Sequence, residues 1–194
     1  ATAGRDAFRG LVARAVADGA GVMSGLGTPE HAGIVTLHRA PDLTILNFVW
    51  APYMSLLPHN HQMYAVIGIY SGREDNLFWR RKAGTLETAS ARSLGVGDVA
   101  SLGRDTIHSV TNPIGKMTCA IHVYGGDFFA PPEPRSEWDY ETLAERPQWA
   151  REHDPDLYQA LRANRLPQVG SMTKAFTHAE ELSGGMFTLG VSYY

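Results

Sequence analysis

The sequence predicts an all-β fold, an antiparallel sandwich or barrel, carrying a short N-terminal helix and a partly helical C-terminal extension. Between residues 33 and 126 the chain runs in short segments rich in Val, Ile, Leu, Thr and Tyr, whose branched and aromatic side chains suit a pleated surface. Pro and Gly punctuate these segments at turn-like intervals. Nothing between them has the helical periodicity that the crossovers of a parallel sheet require.

Taken in order, residues 5–18 place Phe8, Leu11, Val12 and Val16 at helical spacing, and Gly19 and Gly21 close the pattern. Strands are expected at 33–38, 43–50, 63–70, 76–81, 96–101 and 117–124. Pro131, Pro132 and Pro134 end the β region. Residues 137–164 are polar and rich in Glu, Arg and Ala, which predicts two short helices broken at Pro147 and Pro155. Residues 187–194 fit a strand or an extended tail, and Phe176, Phe187, Tyr193 and Tyr194 are aromatics of the C-terminal segment. The expected organisation is a helical segment over 1–30, a barrel over 31–130 and an extension over 131–194 packed on it.

Composition narrows the function classes. Of 194 residues, 44% are apolar and 19% charged, the balance of one globular domain and not of a disordered chain. The net charge is -3, and Arg80-Arg81-Lys82 is the longest basic run, so the multi-phosphate footprint of a nucleic-acid binder is missing. No apolar stretch approaches the roughly 20 residues of a membrane span. Cys119 is the only cysteine, so no internal disulfide forms. With Arg5, Asp6 and Arg9 interrupting any apolar start, the expectation is a cytoplasmic protein, monomer or homodimer, acting on a small molecule.

Four histidines lie in or beside the β region: His59, His61, His108 and His122. Any one histidine in a strand is more often a hydrogen-bonded packing residue than a ligand. His59 and His61, however, are two apart, and in a strand residues i and i+2 project from one face, so both imidazoles can reach one point. Imidazole accepts iron, zinc, copper and nickel, and a site with three protein nitrogens leaves coordination positions for reactants. Met63, Tyr64, Phe78 and Trp79 read as packing, and Cys119 as a small buried apolar residue. His31, His38, His153 and His178 read as surface or helix residues.

The spacing resembles the cupin superfamily, whose first motif runs from a glycine through a His-X-His pair and a glutamate to a second glycine. His59, His61 and Gly72 match it, while Tyr53 stands at the leading glycine and Ala65 at the acidic ligand. The second motif is matched by Gly97, His108 and Asn112, with Gly103 and Asp105 in place of its proline and inner glycine. This resemblance implies a double-stranded β-helix, or jelly-roll barrel. It also implies a site of three histidines, His59, His61 and His108, holding Fe(II), with manganese, nickel or zinc as alternatives.

A three-histidine set without the acidic ligand is similar to the cysteine dioxygenase branch, including bacterial 3-mercaptopropionate dioxygenases. That branch carries a Ser-X-His-X-Tyr segment, which here is Ala120-Ile121-His122-Val123-Tyr124. The resemblance implies catalytic roles for Tyr124 and His122, with Tyr124 a free phenol. It implies Arg135, in Arg135-Ser136-Glu137-Trp138-Asp139, and Gln62 as substrate-binding residues. The activity implied is addition of dioxygen to the sulfur of a small, carboxylated thiol. Three-histidine cupins of other chemistry, cleaving carbon-carbon bonds or acting as lyases, and non-catalytic ligand-binding cupins are the alternatives.

Overall fold

The computed structural model describes residues 2–147. Two helices precede the sheets, α1 (Thr2–Ala17) and α2 (Gly19–Leu26). Val12 and Val16 of α1 are buried, with Phe8 partly so, one turn apart along one face. Leu11, off that face, is 52% exposed. α1 ends at Ala17, at the expected stop before Gly19, and a second helix, not expected, starts at Gly19. Asp18 accepts a hydrogen bond from the Gly21 N–H at 2.9 Å, satisfying an open helix terminus.

Eleven strands follow: β1 (Gly33–Ala40), β2 (Leu43–Trp50), β3 (Ser55–His59), β4 (Ala65–Ser71), β5 (Arg73–Lys82), β6 (Thr85–Gly95), β7 (Val99–Leu102), β8 (Ile107–Thr111), β9 (Thr118–Tyr124), β10 (Ser136–Trp138) and β11 (Glu145–Pro147). They form a five-stranded sheet in the order β1-β2-β9-β4-β7 and a six-stranded sheet in the order β11-β10-β3-β8-β5-β6. Every pairing is antiparallel. From β2 to β9 the chain passes back and forth between the sheets, pausing only for the β5/β6 hairpin. The fold is the double-stranded β-helix.

All six expected strands are present. Three within the barrel were not expected. β3 and β8 are five residues each, and β6 is polar and largely exposed, so none offers a run of alternating apolar side chains. The β5/β6 hairpin turns at Ala83 and Gly84, both at positive φ, the geometry of a two-residue turn whose twist matches the strands. The helix expected from residue 137 is absent through residue 147. That stretch is the hairpin of β10 and β11, and β10 joins β3 at Glu137↔His59. Asp139 ends β10 by accepting hydrogen bonds from the Glu141 and Thr142 N–H groups, a turn that competes with helix at this polar sequence. The rest of the expected helical region, and the tail at 187–194, lie outside the described residues.

The five-stranded sheet is apolar on both faces. Inward, Leu46, Phe48, Ala65, Ile67, Ala100 and Ala120 meet Leu56 and Val110 of the other sheet. Outward, Val49, Val66, Cys119, Ile121 and Val123 lie under Val12 and Val16. Gly68 lets α1 come this close: a Cβ there would stand 2.4 Å from Val12 Cγ1 and 2.9 Å from Val16 Cγ1. Gly68→Val is therefore expected to lift α1 and cost about 1–3 kcal/mol of stability in urea unfolding.

Candidate metal centre

His59 ends β3 and His108 lies on β8, and the two are register partners. Partners across an antiparallel ladder share a face, and Phe78 of β5 continues the row beside His108. His61 lies past the end of β3, where the chain has left the ladder. Asn60 holds this exit in place: its N–H donates to Ser136 O, and its side-chain oxygen accepts from Ser136 N–H at 3.0 Å. Gln62 follows at φ 54 and turns the chain towards β4.

The three imidazoles are 1–5% exposed, and each offers one ring nitrogen to a group whose members lie within 4.8 Å of one another. His108 Nε2 and His61 Nε2 are 3.4 Å apart. Behind the rings the hydrogen bonds fix the tautomers. His59 Nδ1 is 2.8 Å from Leu57 O, and a carbonyl only accepts, so Nδ1 carries the hydrogen and Nε2 the lone pair. His108 Nδ1 stands 2.7 Å from Asn76 Oδ1, with the same consequence.

Burial, and then the neighbouring histidines, hold the pKa values of His61 and His108 well below the usual imidazole range. Neutral, converging imidazoles with their outer nitrogens hydrogen-bonded are the form in which histidine binds a divalent metal. The residues present fit such an ion. Ala65, at the position of the family's acidic ligand, is fully buried in β4 opposite Tyr124 and Leu102.

His122 and Tyr124 project from β9 into the same interior. His122 Nδ1 and Tyr124 Oη are 2.9 Å apart, and Tyr124 packs edge-on to His61 at 5.2 Å. Burial drives the Tyr124 pKa up, so the phenol keeps its proton. His122 is pushed down to about 3, chiefly by burial, and stacks on Phe48 at 3.9 Å. Its Nε2 is buried without a hydrogen-bond partner. An orphan lone pair is the lesser cost beside an orphan N–H, which favours the hydrogen on Nδ1. The Tyr124 hydroxyl then accepts from His122, and its own hydrogen points elsewhere in the interior. Ala120, two residues before His122 on β9, is where the resembling segment has its serine.

Arg135 is 2% exposed. Its guanidinium lies over the Phe128 ring at 4.2 Å, and its charge bears on both His61 and Tyr124. Gln62 lines a cavity of about 490 Å³ at the loop end of the barrel, together with Tyr64, Arg104 and Asp127. None of the three histidines lines that cavity. Other arginines are engaged elsewhere: Arg39 with Asp127, Arg73 with Asp75, Arg80 with Glu87 and Arg81 with Glu145. Cys119 is buried under the helices, and burial pushes its thiol up to about 11. Sequence reasoning missed Asn76 and Glu74 of β5, which stand behind His108. Both are polar residues at the even positions of a strand whose Phe78 also faces inward, and that parity was the available signal.

No family model matches the sequence, and no curated protein matches it. Among solved structures, the chain is similar to an RmlC-like cupin family protein with a double-stranded β-helix fold from Methanocaldococcus jannaschii, at 11% identity over 52% of this chain and 84% of that one, with a TM-score of 0.44. It is similar to a cupin superfamily protein from Desulfitobacterium hafniense, at 13% identity over 54% and 88% of the chains, TM-score 0.43. The DMSP lyase DddQ from Ruegeria pomeroyi gives 15% identity over 54% of this chain and 50% of that one, TM-score 0.43. Among the described residues, no helix is long and apolar enough to cross a membrane.

The buried imidazoles make the metal-stripped protein sensitive to acid. For His61, His108 and His122 the folded pKa is depressed, so stability is full above the unfolded value near 6.5 and falls with pH below it. Glu74, pushed up to about 7 by burial, acts with the opposite sign and loses stability as pH rises from about 4.5 to 7. Three groups outweigh one, so the urea midpoint of stripped protein is expected to drop between pH 7 and pH 5.

Proposed function

We propose that this chain is a metal-dependent dioxygenase of the thiol dioxygenase type, in which His59, His61 and His108 hold one iron(II) ion. The reaction adds both atoms of dioxygen to the sulfur of a small carboxylated thiol and yields a sulfinate. The observation that carries this reading is the meeting, in one buried interior, of three converging imidazoles, a phenol hydrogen-bonded to a histidine, and an arginine. The ion would supply a common binding point for thiolate and dioxygen and the electrons that relieve the spin barrier between them.

The chain's own residues divide the remaining tasks. Arg135 binds the carboxylate of the substrate through its planar fork, which stacking on Phe128 holds in one plane. Anchoring the substrate away from its sulfur removes much of its orientational freedom. Tyr124, kept protonated by burial, donates a hydrogen bond towards the reacting atoms, and His122 holds the phenol ring in place from Nδ1. The surrounding apolar side chains, Phe48, Leu46 and Ile67 among them, keep bulk water out and strengthen these polar contacts.

Oxygen uptake by protein loaded anaerobically with iron(II), measured against 3-mercaptopropionate, cysteine, mercaptosuccinate and cysteamine with sulfinate read by mass spectrometry, tests the proposal. Stoichiometric sulfinate from the carboxylated thiols is expected. No uptake with any thiol, from protein that binds one metal ion per chain, would overturn it in favour of a lyase or a carbon-carbon cleaving enzyme.

His108→Ala is expected to abolish iron binding. Tyr124→Phe should keep the metal and lower kcat by about 100-fold. Arg135→Lys should raise the KM for 3-mercaptopropionate by about 10-fold or more, the worth of a charge-assisted hydrogen bond, and leave that for cysteamine near its starting value. Equal shifts for both thiols would reassign the carboxylate to another group.

A further inference from the structure

β5 runs antiparallel to β8, with Phe78↔His108 and Asn76↔Val110 as register partners. Asn76 and His108 are therefore diagonal neighbours on the inner face, and their side chains meet at 2.7 Å from Oδ1 to Nδ1. Asn76 Nδ2 in turn donates to Glu74 Oε1 at 2.9 Å. Glu74 is fully buried and Asn76 is 3% exposed. We propose that Glu74 and Asn76 are positioning residues of the metal site, which together fix His108 as the Nδ1–H tautomer with its Nε2 lone pair on the ligand side. The inference rests on reading the histidine triad as metal ligands, and is independent of which reaction the metal serves.

The direction of the chain follows from chemistry. A primary amide has one accepting oxygen and one donating NH2, and a half turn about its last torsion exchanges them. Facing His108 alone, Asn76 could present either group. Presenting NH2 would require a lone pair at His108 Nδ1 and would place the hydrogen on Nε2, where it blocks coordination. Glu74 removes the choice as a carboxylate, because an ionised carboxyl only accepts, and its Oε1 takes the hydrogen bond from the amide. The NH2 must then face Glu74 and the oxygen must face His108.

The comparison with His59 sharpens the role. There the same task falls to Leu57 O, a backbone carbonyl that cannot be exchanged for a donor. His108 has no such carbonyl and relies on two side chains, one of which never touches it. Burying a carboxyl is costly unless its hydrogen bonds are met; Glu74 Oε1 accepts from Asn76, and the nearby Trp50 indole favours the carboxylate, while Oε2 makes no hydrogen bond among the described residues. A hydrophobic residue would fill this space at lower cost, which argues that the polarity is retained for what it does to His108.

A swap of the two functional groups tests this in the full-length, metal-stripped protein. Glu74→Gln, Asn76→Asp and the double variant are compared by zinc affinity, measured in competition with a chromophoric chelator, and by the nitrogen-15 shifts of the His108 ring without zinc. Wild type should bind zinc and show the Nδ1–H tautomer. Glu74→Gln should lose about 10–100-fold in zinc affinity and shift the ring signals towards mixed tautomers, whereas Asn76→Asp, whose carboxyl still offers His108 an acceptor, should keep the Nδ1–H tautomer. In the double variant the new amide at 74 donates to the new carboxylate at 76, whose other oxygen accepts from His108, so affinity and tautomer should both return. Asn76→Asp sets two carboxyls side by side, and should it fail to fold, the near-isosteric Glu74→Gln decides alone. Glu74→Gln with wild-type affinity and an unshifted ring, or a double variant no better than Glu74→Gln, would overturn the proposal. Wild-type protein that binds no zinc would instead overturn the reading of the triad itself.

Discussion

The site depends on one irregularity in one strand pair. Leu56 of β3 is opposite Val110 of β8, and the next partners are His59 and His108. β8 advances by two residues between those pairs and β3 by three, so β3 carries a bulge at Leu57 and Pro58. Side chains alternate with a period of two. Without the extra residue Pro58 would face inward and His59 would point out of the barrel. Pro58 brings no N–H to the ladder and so loses nothing by standing at the bulge. The displaced carbonyl of Leu57 is the one that accepts from His59 Nδ1. A single inserted residue therefore both turns His59 inward and fixes its tautomer.

That local device also explains what the sequence made visible. The period-two argument for His59 and His61 reached the right juxtaposition by an incomplete route, since His61 lies beyond the strand and arrives through the turn that Asn60 and Gln62 hold. The spacing of the two motifs survived because it records turns. Gly72 and Gly97 have positive φ, and so does Tyr53, which stands where the first motif has glycine. The backbone requirement persists there although the residue best suited to it is gone. Asn112, likewise, spends its amide on Ala51 O and Lys116 O and accepts from Thr118, tying neighbouring loops together.

What the sequence hid is equally physical. β3 and β8 are too short and too interrupted by Pro and His to read as strands, and they carry two of the three clustered histidines. β10 is charged and follows a proline-rich stretch, so helix propensity outweighed a pairing that depends on β3, almost eighty positions earlier. Arg135 sits just before that strand, and its burial over Phe128 follows from the pairing. Glu74 and Asn76 look like surface residues of a polar strand until β5 is known to lie between β8 and β6. In each case the missing information is the partner strand.

Ala65, which stands where the resembling cupin motif has its acidic ligand, changes the electrostatics more than the packing. A divalent ion held by three neutral imidazoles keeps its full charge, whereas a carboxylate ligand would cancel one unit of it. The retained charge favours an anionic ligand such as a thiolate and lowers the pKa at which that thiol ionises. Alanine also leaves Tyr124, its direct neighbour across the β4/β9 ladder, beside a methyl group and not beside an acid. A carboxylate there would compete for the phenol's hydrogen. With Ala65, and with His122 neutral and supplying its own N–H to the phenol oxygen, that hydrogen remains available to whatever occupies the interior between the two sheets.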